Sequence, residues 1–151
     1  SQSIGLNGMA LGQSMDINSD KINSSIEVLE RLQELKTGAL IKASCVIPFL
    51  LSKNYEEIYL ADMANIGHLI GKIYQITDDI LDIESNTETL GKTADKDRKN
   101  NKMTYISLVG KKEALKIKAN IFENLNKSIE QFPRKLIALQ NLAHYIYKRA
   151  Y

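Results

Sequence analysis

The stretch Gly71-Lys72-Ile73-Tyr74-Gln75-Ile76-Thr77-Asp78-Asp79-Ile80-Leu81-Asp82 sets three carboxylates within five residues on an otherwise apolar background. It closes a longer pattern that starts at Tyr55 and runs through Ile58, Ala61, Asp62, Asn65, Ile66, Leu69, Ile70 and Ile73. No breaker interrupts that pattern before about Ile83, so it predicts the longest helix of the chain. On such a helix Asp78 and Asp82 lie one turn apart on one face, Asp79 stands to the side, and Gln75 precedes Asp78 by three residues.

Further helices are predicted on either side. Ser24-x-x-Glu27 reads as a capping box, and Ile26, Leu29, Leu32 and Leu35 follow at near-helical intervals. The segment from Gly38 to Ser52 is apolar enough to be buried on most sides as a helix, with a kink or boundary at Pro48. Helices are also expected over Lys111 to Ser128 and Arg134 to Tyr151, with Pro133 suited to a first turn. Between them, Glu84 to Tyr105 is dense in Asn, Thr, Asp and Lys and reads as a mobile functional loop. Val is scarce and alternating apolar runs are absent, so the fold class is all-α.

The 151 residues carry 20 basic against 18 acidic side chains, a net charge of +2 that excludes a whole-surface attraction to nucleic acid or anionic lipid. The single cysteine, Cys45, makes neither an intrachain disulfide nor a multi-cysteine zinc site, which fits a reducing compartment, by default the cytoplasm. The longest nearly uncharged run, Ala43 to Ser52, falls well short of the roughly 20 residues of a membrane-spanning helix, so no membrane anchor is expected. The start at Ser1-Gln2-Ser3, without methionine, points to a processed chain or a fragment.

Like charges one turn apart on a helix repel, so a positive group is expected beside Asp78, Asp79 and Asp82. Hard carboxylate oxygens suit Mg²⁺, which takes one or two protein carboxylates and completes its shell with water and phosphate oxygens. A solvated acidic face is the competing reading, and the neighbouring Tyr74, Ile80 and Leu81 count against it. Lys36-Thr37-Gly38 falls at a helix junction, where a lysine and a hydroxyl meet an anion or simply solvent. Lys92 and Lys102 sit in the polar loop with Asp97 between them, placed either to close over phosphate oxygens or to solubilise the loop.

Taken in order, Gly12-Gln13-x-x-Asp16, Lys36-Thr37-Gly38-Ala39-Leu40, Tyr74-Gln75-x-x-Asp78-Asp79-x-x-Asp82, Gly91-Lys92-Thr93 and Asn101-Lys102-x-Thr104-Tyr105 resemble the trans-isoprenyl diphosphate synthases. The likeness is to the C-terminal half of the bacterial farnesyl or geranylgeranyl type and spans residues 1–151. It implies a bundle of long antiparallel helices, usually homodimeric, that joins an allylic diphosphate to isopentenyl diphosphate with Mg²⁺. By the same resemblance Asp78 ligates a metal ion directly, and Asp79 and Asp82 act mainly through its waters. Lys36, Lys92 and Lys102 then contact diphosphate, the Thr37 hydroxyl and Gln75 amide oxygen face the carbocation, and Tyr74 lies beside the homoallylic substrate. His68 and His144 are given packing or surface roles, and the Lys148-Arg149 pair is left outside the site. The family's first aspartate-rich motif has no counterpart among these residues. Two expectations follow: half of a prenyltransferase site, inactive when isolated, or a helical dimerisation module without catalysis.

Overall fold

A computed structural model describes residues 2–19, 23–53, 55–89 and 103–149, with side chains of 83–89 outside the description. The described residues form helices and turns without a strand: α1 (Met9–Ile17), α2 (Ile26–Gln33), α3 (Ala39–Leu50), α4 (Leu60–Thr89), α5 (Tyr105–Val109), α6 (Lys111–Gln131) and α7 (Ile137–Lys148). One π-helical turn, Glu34–Gly38, joins α2 to α3.

The organising element is α4, which packs against α2, α3, α5, α6, α7 and the π turn. Its stripe of Ile66, Ile70, Ile73, Ile76 and Ile80, spaced by threes and fours, is almost wholly buried. Leu29 and Leu32 of α2, Ile121, Leu125 and Ile129 of α6, and Ala143 and Ile146 of α7 complete that core. Two glycines let backbones touch. A Cβ on Gly71 would lie 3.1 Å from the Gly38 Cα, so α4 and the π turn meet with no side chain between them. A Cβ on Gly12 would lie 2.2 Å from the Lys36 backbone nitrogen, which seats α1 directly on the same turn.

Several boundaries differ from the sequence reading. The cap of α2 is Ser25, whose hydroxyl accepts from the Val28 amide at 3.3 Å; Ser24 lies one residue too early for that geometry. Helix α4 continues to Thr89, into the segment read as a loop, and Tyr105 already opens α5; residues 90–102 lie outside the described residues. Gly12-Gln13-x-x-Asp16 is part of α1, a helix the sequence reading did not expect. Pro48 sits inside the last turn of α3, and Pro133 lies in the connection before α7 rather than in its first turn. The largest departure is α3, expected to be buried on most sides. Only Phe49 is buried there, while Ile47 and Leu51 are 54% and 80% exposed, because the described helices cover α3 chiefly on the side facing α4.

Candidate functional site

The π turn and the C-terminal half of α4 carry most of the chemistry-bearing residues. A π turn inserts an extra residue into a helical run and shifts the direction of the side chains in it, a local irregularity found often at functional sites. Here it holds Lys36 and Thr37, both half-buried, at the junction expected from the sequence. The Lys36 ammonium is paired with the Asp16 carboxylate of α1, a contact that the Gly12 close approach makes possible.

Beside the Gly38–Gly71 contact a narrow cleft opens between α2 and α4, lined by Glu30, Gln33, Gly38, His68, Lys72, Gln75 and Tyr105. Gln75 thus looks into the space next to the π turn. Glu30 is the ionic centre of the cleft: its Oε1 lies 2.8 Å from Lys72 Nζ and accepts from the Tyr105 hydroxyl at 3.1 Å. Burial, reinforced by the Glu30 charge, pushes the Tyr105 phenol well above its ordinary pKa. Burial also lowers His68, partly opposed by Glu34, whose carboxylate lies 3.9 Å away.

The three aspartates of α4 diverge. Asp78 is half-buried, and its Oδ1 accepts from an Arg149 guanidinium nitrogen at 3.0 Å. Arg149 also lies over the Tyr74 ring, 5.7 Å from its centroid. Asp82 is exposed one turn further on. Asp79 is buried, and its Oδ2 accepts from Gln33 Nε2 at 3.0 Å and from the Tyr105 backbone N–H at 3.1 Å.

Tyr74, Gln75, Asp78, Asp79 and Asp82 lie on α4 and Lys36 and Thr37 on the π turn that meets α4 at Gly71, whereas Lys92, Asp97 and Lys102 lie outside the described residues. Among the described residues no three His, Cys, Asp or Glu side chains converge as a ready-made metal cage. The donor set still fits a Mg²⁺ ion that shares its ligands with a phosphate, because Asp78 and Asp82 offer hard oxygens at the surface on one face. Arg149, which the sequence reading leaves outside the site with Lys148, supplies a positive partner of the kind expected beside the acidic run.

A polyprenyl synthetase family model matches residues 3–140. A curated dimethylallyltranstransferase from Fischerella ambigua is 36% identical over 152 aligned positions, covering 100% of this chain and 44% of its own length. A candidate farnesyl-diphosphate synthase structure from Marinomonas sp. MED121 is 33% identical with a TM-score of 0.80, over 97% of this chain and 49% of the other. A geranyltransferase from Helicobacter pylori, solved with magnesium and isoprenyl diphosphate, is 26% identical with a TM-score of 0.76, over 97% of this chain and 48% of the other. Further curated relatives are named as farnesyl and geranylgeranyl diphosphate synthases. The chain spans about half the length of these relatives, or less.

Proposed function

The chain belongs to the polyprenyl synthetase family, and from that premise we propose that it forms the diphosphate-ionising half of a prenyltransferase site of the farnesyl or geranylgeranyl diphosphate synthase type. The observation that carries this reading is the placement of Asp78 and Asp82 one turn apart on the outward side of α4, the helix that also meets, at Gly71, the π turn carrying Lys36 and Thr37. A relative of similar fold, solved with magnesium and isoprenyl diphosphate, supports the same reading.

The reaction ionises an allylic C–O bond, so negative charge on the departing diphosphate and positive charge on the allyl fragment must be stabilised in different places. When bound, Mg²⁺ supplies Lewis-acid stabilisation of the leaving diphosphate. Asp78 and Asp82 would hold that ion, and Asp78 would exchange its pairing with Arg149 for it. Lys36, with Lys92 and Lys102, offers ammonium charge to the diphosphate oxygens. The Thr37 hydroxyl and Gln75 amide oxygen turn dipoles toward the allylic cation. Tyr74 flanks the isopentenyl diphosphate whose alkene attacks that cation to form the new C–C bond, and the proton lost in closing the product goes to the released diphosphate. The assembled enzyme works as a homodimer, and the exposed apolar side of α3 seats helices that complete the bundle.

Incorporation of labelled isopentenyl diphosphate into a longer allylic product tests this. The 151 residues alone are inactive, because the first aspartate-rich motif is not among them. Joined to a segment that supplies that motif they turn over, and Asp78→Ala lowers the rate at least about 100-fold, as loss of a charge-stabilising group does. Turnover by a preparation whose mass matches these residues alone, or full activity in Asp78→Ala, sinks the reading.

A further inference from the structure

Asp79 belongs to the acidic run by sequence and to the core by structure. Its two neighbours in the run are half-buried or exposed, whereas Asp79 is 7% exposed. We propose that Asp79 is a positioning residue and not a metal donor: its carboxylate pins the start of α5 and the side of α2 to α4, fixing the rotation of α4 that turns Asp78 and Asp82 outward. The outward half of this statement rests on the metal reading above, while the anchoring half stands on geometry alone.

The first amides of a helix have no partner within it. In α5 the Thr104 hydroxyl accepts from the Ser107 amide at 3.1 Å, and Ser107 Oγ takes the Thr104 amide at 2.9 Å. That capping box leaves the Tyr105 N–H to be served from elsewhere, and Asp79 serves it. The same oxygen takes Gln33, itself buried, so one atom ties three helices. Two turns earlier on α4, Lys72 reaches Glu30 of α2, which also takes the Tyr105 hydroxyl. Both ends of Tyr105 are thereby tied to α4, directly through its amide and by way of Glu30 through its hydroxyl. Turning Asp79 toward a metal ion strands the Gln33 and Tyr105 donors in the interior. With Asp79 held inward, helix geometry at about 100° per residue sends Asp78 and Asp82 to one side together, roughly 40° apart.

The test separates charge from shape at one atom. Asp79→Asn removes the charge and keeps an oxygen that accepts from both donors; Asp79→Ala removes the acceptor; Asp78→Asn is the metal control. Two quantities are read on the 151-residue chain, exchange of the Tyr105 amide by NMR without ligand and binding of inorganic diphosphate with Mg²⁺ by calorimetry. The anchor predicts that Tyr105 exchange quickens roughly tenfold in Asp79→Ala and stays near wild type in Asp79→Asn. It further predicts that Asp79→Asn keeps Mg²⁺-dependent binding within about threefold of wild type, whereas Asp78→Asn loses roughly tenfold or more. Gln33→Ala, which keeps Asp79 and one donor, guards against a loss of folding in Asp79→Ala and gives a smaller acceleration of exchange. A loss of Mg²⁺-dependent binding in Asp79→Asn equal to that in Asp78→Asn overturns the proposal, as does unchanged Tyr105 exchange in Asp79→Ala. Undiminished binding in Asp78→Asn overturns the metal reading instead, and the exchange result then decides the anchor by itself.

Discussion

Tyr105 is the largest fully buried side chain among the described residues, and its phenol is a titrating group with a clear consequence for stability. Its pKa is raised above the ordinary 10.0 by burial first, then by the Glu30 charge and hydrogen bond, then by Asp79. Below that ordinary value folded and unfolded chains both keep the proton, and the contribution is whole. Above it the unfolded chain ionises while the folded chain resists, so stability falls as pH rises. Urea midpoints followed from about pH 8 to about pH 11 are therefore expected to drop steeply in the wild type and less in Tyr105→Phe. At neutral pH that variant costs only the bond to Glu30, about 1 kcal/mol. Parallel alkaline declines in the two proteins count against this account. At this scale the sequence was legible where spacing alone decides: Asp78 and Asp82 share a face because they are four apart. It did not convey the burial of Asp79, whose partners Gln33 and Tyr105 stand 46 and 26 positions away, or the pairing of Arg149 with Asp78 across 71.

Helices were read well where an apolar stripe repeats over many turns, as in α4 and α6, and poorly where a few residues fold only because a neighbour holds them. In α5, five residues long, the N-terminal amide depends on Asp79 from another helix. Helix α1 was not among the helices expected from the sequence, and its Gly12 serves packing rather than turning. That packing yields a prediction at the scale of an element. The Cβ in Gly12→Ala meets the Lys36 backbone, and since α1 and the π turn must part to admit it, a loss of about 1–3 kcal/mol follows. Ala has the better helix propensity, so an unchanged urea midpoint means that α1 does not rest on the π turn as described. The same variant parts the Lys36–Asp16 pair.

At the scale of the molecule, the all-α class followed from helical periodicity without alternating apolar runs, and the family from the order and spacing of motifs spread from Gly12 to Tyr105, each modest alone. What no local pattern conveys is which apolar faces a chain covers with its own residues. The run Ala39 to Leu51 has the composition of a core helix, yet Ile47, Leu50 and Leu51 remain exposed among the described residues. No described helix is long and apolar enough to cross a membrane. The central claim, that these residues form a metal-and-diphosphate half-site, is tested most directly by calorimetric titration of inorganic diphosphate into the 151-residue chain with and without Mg²⁺. The account predicts measurable binding that Mg²⁺ strengthens, since phosphate oxygens complete the ion's shell beside Asp78 and Asp82. Equal diphosphate affinity with and without Mg²⁺ would contradict it.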